Sequence, residues 1–217
     1  LKTCAKFKKN LLITSSSEVY GKHLHAPLLE TDNIIYGPSS KFRWSYAASK
    51  LMDEFSALAY FRTVGLKTII TRLFNTVGPR QTGAYGMVIP RFIQQALNNE
   101  PITVYGSGTQ SRTFTYVKDV VQALTALMEN GAAPGEVFNI GGTEEITILD
   151  LAEKIIKKTG SQSSVKMIPY EEAFEKDFED MMRRVPGIEK IKELTGFEPK
   201  TNLDTILEYV IDYMKRY

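Results

Sequence analysis

The feature that most constrains this fold is the order of its apolar runs. Asn10–Thr14 (NLLIT) is a short apolar run ending in Ser15-Ser16-Ser17, and Leu66–Leu73 (LKTIITRL) is a second. Runs of this kind, bounded by small polar residues, read as buried parallel strands. Between them lie a loop rich in Pro, Gly and Ser, from Gly21 to Ser45, and a helix-period stretch, Tyr46–Thr63. In that stretch Leu51, Phe55, Leu58 and Ala59 share one face, and Gly65 supplies the stop. Strand, loop, helix, strand is a βαβ order, which predicts a parallel sheet with helices on its faces.

Past Gly78-Pro79 the texture changes. The pattern predicts a helix over Val88–Asn98, short strands at Ile102–Tyr105 and Thr113–Val117, and a helix capped by Asp119 and running to about Glu129. A strand at Val137–Ile140 ends at Gly141-Gly142, and Thr147 caps a helix through Lys158 with Ile148, Leu151, Ala152 and Ile155 inward. Tyr170–Arg184 is charged, its acidic run Glu171–Asp180 reading as a solvated helix face. Helices near Ile188–Thr195 and Leu203–Tyr217 close the chain. A second, smaller α+β lobe is therefore expected from about residue 80. Leu1–Lys9 reads as the end of a helix, with Leu1, Cys4, Ala5 and Phe7 at helical spacing, so we expect further chain upstream.

Composition removes several classes. With 27 basic and 25 acidic side chains the net charge is +2, which gives no electrostatic case for nucleic acid or an anionic membrane. No apolar run approaches the roughly 20 residues of a spanning helix, and no stretch reads as a secretory leader. Cys4, the single cysteine, excludes an internal disulfide. A cytoplasmic, soluble protein is expected.

The sharpest chemical motif is Tyr46-Ala47-Ala48-Ser49-Lys50 at a helix start. Positions four apart share a helix face, and an ammonium there stabilises a tyrosinate able to move a proton to or from a substrate hydroxyl. Alone, Tyr-x-x-x-Lys is a common helix-surface pattern. Here it stands between two polar strand ends, Ser15-Ser16-Ser17-Glu18 after the first strand and Phe74-Asn75-Thr76 after the second. Ligands of open parallel sheets bind beyond the carboxyl ends of strands, so the three segments converge on one site.

Six stretches together, SSSEVYG (15–21), YAASK (46–50), RLFNTVGPRQ (72–81), ITVYGSGTQSRTFTYVKDVV (102–121), EVFNIGG (136–142) and RRVPGIEKI (183–191), resemble the extended short-chain dehydrogenase/reductase superfamily of nucleotide-sugar epimerases, dehydratases and decarboxylases. The resemblance implies a partial Rossmann-like, doubly wound parallel sheet with a smaller α+β substrate-binding lobe. Residues 1–80 would form the C-terminal part of the NAD-binding domain, the chain returning to it near 113–142. Residues 81–217 would be mainly the nucleotide-sugar lobe. Tyr46 would take the proton from the sugar 4-hydroxyl and Ser16 would hydrogen-bond the same oxygen. Lys50 would bind the nicotinamide ribose, with Ser15 and Tyr46 beside it. Asn75 and Arg112 would contact the substrate diphosphate, joined by Val88, Arg91, Tyr105 and one of Arg183 and Arg184, for which Arg184 is taken. A homodimer built on the Tyr46 helix is implied, with Phe55, Tyr60 and Phe61 exposed, although core packing explains these aromatics equally well.

The chain departs from the superfamily at the glycine-rich dinucleotide turn, which is absent. Gly106-x-Gly108-x-x-Ser111 is no substitute, because it leads into a strand where pyrophosphate needs a helix N-terminus. His23 and His25 lack further metal ligands, and no metal is expected. Tyr20 and Trp44 flank the motifs, either as pocket lining or as packing.

For the reaction, a UDP-sugar 4-epimerase acting through a 4-keto sugar is expected first, on RLFNTVGPRQTGAYGMVIPRF and FEDMMRRVP. A UDP-glucuronate decarboxylase comes next, with Glu18 placing the substrate carboxylate or its water. A 4,6-dehydratase is weaker because the Asp-Glu pair usual there is replaced by Ser17-Glu18, although some GDP-mannose dehydratases resemble Ser-Glu at this point. A non-catalytic nucleotide-sugar-binding fragment is the alternative of another class.

Overall fold

The two apolar runs of the N-terminal third lie side by side as parallel strands. A computed structural model describes residues 1–83, 87–173 and 181–216. Helix α1 (Lys2–Lys6) precedes β1 (Leu11–Ser16), and a 3-10 turn, Ser17–Tyr20, leads into the long loop. Helix α2 (Arg43–Val64) then carries the chain back to β2 (Thr68–Leu73) and β3 (Thr76–Val77). Gly65 ends α2 in the left-handed region at φ 68°, where a side chain would be strained. Next come α3 (Val88–Leu97), β4 (Ile102–Tyr105), β5 (Ser111–Thr113), β6 (Thr115–Tyr116), α4 (Val117–Glu129) and β7 (Val137–Ile140). The chain closes with β8 (Glu145–Thr147), α5 (Ile148–Thr159), β9 (Val165–Ile168), α6 (Tyr170–Ala173), β10 (Arg183–Arg184), α7 (Glu189–Thr195) and α8 (Leu203–Arg216).

The main sheet has the order β1-β2-β7 and is wholly parallel, with Leu11–Ser16 aligned on Thr68–Leu73 and Ile70–Leu73 on Val137–Ile140. Strand β7 thus returns to the sheet begun by the N-terminal βαβ unit. Among the described residues three small sheets, β3-β6, β4-β9 and β10-β5-β8, carry the remaining strands, and only β5–β8 is antiparallel. One apolar cluster joins α3, α5 and α8 through Phe92, Ile93, Leu151, Ile155, Ile206 and Leu207. A second lies between the main sheet, α4 and α7, through Ile69, Phe138, Ile140, Leu127 and Ile191. Gly142 links β7 to β6. Its N–H donates to Thr115 Oγ1 at 2.6 Å, and a Cβ there would stand 2.3 Å from the Phe114 carbonyl oxygen.

A polar network underlies the carboxyl end of the main sheet. Glu54, on α2, accepts from Ser15 Oγ at 2.5 Å and from Arg72 Nε and Nη2 at 3.0 and 2.8 Å. Both charged side chains are buried, with 3% and 6% of their surfaces exposed. The Arg72 guanidinium lies 4.7 Å from the Tyr20 ring centre. Burial pushes the Tyr20 phenol up to about 12, and the retained hydroxyl donates to Asn139 Oδ1 at 2.7 Å. Asn139 donates from Nδ2 to the carbonyls of Leu28 and Gly187, while its backbone N–H meets Glu30 Oε1 at 2.7 Å.

Several expectations are corrected here. The inward face of α2 is Trp44, Ala47, Glu54 and Ala57; of the face Leu51, Phe55, Leu58 and Ala59, Phe55 and Ala59 are exposed, which for Phe55 is the exposure that the dimer reading expects. Small residues let the helix approach the sheet, and the Arg72 partner makes a carboxylate acceptable inside. Tyr60 and Phe61 are half-buried, with Phe61 against Gly135. Asp119 does not cap α4, which starts after Tyr116. Its carboxylate instead accepts from the backbone N–H groups of Lys200 and Thr201. Glu171 and Glu172 are exposed, and the rest of the acidic run is outside the residues described, apart from the helical backbone of Ala173.

Removing one partner of a buried ion pair leaves an uncompensated charge. Arg72→Met is expected to cost about 3–5 kcal/mol in urea unfolding, and the double replacement Glu54→Leu with Arg72→Met to recover much of that loss.

Candidate functional site

Strand β1 delivers Ser16 to the rim of a cavity of about 910 Å³. Ser16 caps the 3-10 turn, its Oγ accepting from Glu18 N–H at 3.2 Å, so one local bond ties the serine side chain to the backbone of Glu18. Tyr46 and Lys50, one helical turn apart on α2, line the same cavity. Lys50 Nζ donates to the Thr14 carbonyl at 3.1 Å, which moors the ammonium to the end of β1, and Asp53 Oδ2 lies 3.8 Å away. Asn75 follows β2 with φ +32°, a left-handed conformation that Asn tolerates better than most residues and that clusters at functional sites. The asparagine donates from Nδ2 to the Thr113 carbonyl at 2.7 Å.

Besides Arg91, three arginines of the cavity act on Glu18. Arg43, at the start of α2, donates from Nη2 to Glu18 Oε2 at 3.1 Å. Arg184, on β10, donates from Nη1 to Glu18 Oε1 and from Nη2 to Asn75 Oδ1 at 3.1 Å. Arg112, on β5, is aimed by bonds from Nη1 to the carbonyls of Ser111 and Met181, both 2.7 Å. Burial pushes the Glu18 carboxyl up, and Arg184, Arg43 and Arg112 more than offset it, so the group is held below its ordinary 4.5. One half-buried carboxylate among these guanidiniums leaves an excess of positive charge, suited to an anion with several oxygens.

Of the residues expected from sequence, Ser15, Ser16, Glu18, Tyr46, Lys50, Asn75, Val88, Arg91, Tyr105, Arg112 and Arg184 all border this cavity. Arg184 faces it, whereas Arg183 turns away to Glu145. Ser15 spends its hydroxyl proton on Glu54, which leaves it only acceptor capacity. The Arg91 guanidinium stands 4.1 Å from the Tyr105 ring centre, and its Nη1 donates to Thr103 Oγ1 at 3.3 Å. Tyr20 and Trp44 do not border the cavity and pack within the fold, Trp44 stacked on Tyr36. His23 and His25 meet edge to face, and among the described residues no group of three or more His, Cys, Asp or Glu could hold a metal ion. Sequence reasoning missed Arg43, Glu54 and Gln110. Arg43 had one available signal, lying three residues before Tyr46 on the same helix.

The family model described as "NAD dependent epimerase/dehydratase family" matches residues 1–141. The chain belongs to this family. It is 40% identical over 216 residues to the UDP-N-acetyl-alpha-D-glucosaminuronate decarboxylase of Bacillus cytotoxicus, covering 99% of this chain and 66% of that protein. It is 38% identical over 206 residues to UDP-glucuronic acid decarboxylase 2 of Arabidopsis thaliana, covering 94% of this chain and 44% of that one. Among solved structures, the UDP-glucuronic acid 4-epimerase of Bacillus cereus in complex with NAD superposes with a TM-score of 0.85 at 29% identity, over 99% of this chain and 64% of its own. The epimerase Mth375 of Methanothermobacter thermautotrophicus gives 0.88 at 26% identity, over 99% and 62%. The chain thus spans about half to two thirds of the length of these proteins. The α/β fold with parallel sheets is that of the Rossmann-like epimerases. Among the described residues no helix is long and apolar enough to cross a membrane.

A carboxyl held below its unfolded value stabilises the fold above that value, and the contribution fades as pH falls through the folded one. Wild type is therefore expected to lose thermal stability below about pH 4.5 faster than Glu18→Gln. Melting curves from pH 7 to 3 should show the gap between the two proteins closing.

Proposed function

We propose that this chain supplies the sugar-binding and proton-transfer machinery of an enzyme acting on a UDP-hexuronic acid, with decarboxylation as the reaction. The observation that carries the reading is the single cavity in which Ser16, Tyr46 and Lys50 meet Arg43, Arg112, Arg184 and Glu18. The arginines suit a diphosphate and a sugar carboxylate. Both decarboxylases named above, and the Bacillus cereus epimerase, carry a UDP-uronic acid in their names. The 4-epimerase is the second reading, supported by the fold match at 29% identity, against 38–40% for the decarboxylases.

The residues present fit the nicotinamide-ribose end of NAD. Lys50 has donors left after its bond to the Thr14 carbonyl, and Thr14, Ser16 and Tyr46 make a polar wall beside it. Among the described residues no glycine-rich turn opens a helix at a strand end, so the adenine half of NAD finds no cradle in them. Bound NAD would accept the hydride of the sugar C4, making the uronic acid a β-keto acid that readily loses carbon dioxide, and would return that hydride to C4 afterwards.

Tyr46 holds and moves the proton of the sugar 4-hydroxyl. Ser16 fixes that oxygen from the end of β1. Lys50 places positive charge beside the tyrosine and binds the ribose. Arg112, Arg184 and Arg43 hold the diphosphate and shield the carboxylate of Glu18 from it. Glu18 orients the sugar near its C5 carboxyl and keeps Arg184 turned into the cavity.

Two measurements test the proposal. UDP-glucuronate and UDP-N-acetylglucosaminuronate are offered to the gene product with NAD, and the expected result is release of carbon dioxide. Inversion at C4 with the carboxyl retained would move the assignment to the epimerase, and binding without turnover would remove the enzymatic reading. Tyr46→Phe is expected to lower turnover by about 10²–10⁴ while leaving UDP-sugar affinity within about threefold.

A further inference from the structure

Strand β10 has two residues, both arginines, and successive strand residues point to opposite faces. The pairing makes the division explicit. Arg184 is aligned with Arg112, and both face the cavity. Arg183 is aligned with Ser111 on the other face, where Thr113 is aligned with Glu145 of β8. There Arg183 Nε and Nη2 donate to Glu145 Oε1 and Oε2 at 2.9 and 2.8 Å, a two-pronged bridge across β5. Ser111 Oγ donates to the same carboxylate, so Glu145 is itself fixed from the strand between.

Backbone bonds set the height of β10. Ser111 N–H meets the Met182 carbonyl, and Leu28 N–H meets the Val185 carbonyl, both at 2.8 Å. These bonds hold the main chain on both sides, and the residual rotation of so short a strand about its axis is limited by its side chains. A small rotation sweeps a guanidinium at the end of its long side chain through a wide arc. Arg184 has to meet Glu18 and Asn75 together, and its buried Nε has no partner among the described residues. Its grip therefore depends on alignment.

We propose that Glu145 is a positioning residue that acts through Arg183. By clamping the outer arginine of β10 it holds the inner one, Arg184, on the anion-binding wall of the cavity. The inference rests on the reading of that cavity as a UDP-sugar site. It predicts that a residue outside the cavity controls affinity for the diphosphate, through a bridge that as an exposed ion pair would do little for stability.

The test uses the gene product and UDP as probe, with affinity read by calorimetry and folding by thermal melting. Arg184→Lys, which keeps charge but loses the fork, is measured first and is expected to weaken UDP binding about tenfold. Glu145→Gln is expected to weaken it about fivefold with little change in melting temperature, and the charge swap Glu145→Arg with Arg183→Glu to restore it to within about twofold. Glu198→Gln, which breaks the exposed bridge to Lys192, should leave UDP affinity unchanged. If Arg184→Lys weakens binding while Glu145→Gln does not, or if the folded swap fails to restore affinity, the positioning role is wrong. Should Arg184→Lys itself have no effect, the reading of the cavity fails first and takes this inference with it. A Glu145→Gln protein that does not fold leaves the folded swap variant to decide.

Discussion

The carboxylate of Glu54, buried where α2 crosses the main sheet, is the interaction on which the rest of the architecture hangs. A charge taken out of water must be met by an opposite charge and by hydrogen bonds. Arg72 supplies the first from β2, and Ser15 adds a hydroxyl from β1. One side chain of the helix therefore fixes its distance and rotation against two strands. Tyr46 and Lys50 stand two turns and one turn before Glu54 on the same helix, so their delivery to the end of β1 follows from that mooring. Arg72 extends the same fixation through Tyr20 and Asn139 to β7.

Above this floor, charge is arranged differently. Below it Glu54 and Arg72 form a closed pair. In the cavity one carboxylate, Glu18, is shared among several guanidiniums, and positive charge is left over. The contrast separates a neutralised pair inside the fold from a cavity wall with unbalanced positive charge. Adjacent serines divide the two levels: Ser15 points down to Glu54, while Ser16 lines the cavity.

What could be read from the sequence was what local rules encode. The strands at Leu11–Ser16 and Thr68–Leu73, the helix period of Val88–Leu97 and the cap by Thr147 all follow from spacing within a few residues. Ser16, Tyr46 and Lys50 were legible because a strand end and a four-residue helical repeat are short-range patterns. The failures share one cause. Glu54 gives no local sign of its burial, because that burial depends on Arg72, 18 positions away. Asp119 looked like a cap, yet its partners Lys200 and Thr201 are 81 and 82 positions distant. The choice between Arg183 and Arg184 needed the pairing of β10 with β5, which no local pattern announces.

The Glu30 carboxylate on the backbone N–H of Asn139 has a consequence for growth of the sheet. In β7 the groups of Phe138 and Ile140 serve the ladder to β2, so the N–H of Asn139 points to the outer edge. A strand arriving there would have to displace a carboxylate and leave it stranded against new carbonyls. The edge is electrostatically sealed against like-built neighbours. Beside β7, then, the Glu30 carboxylate closes the described sheet to a further strand.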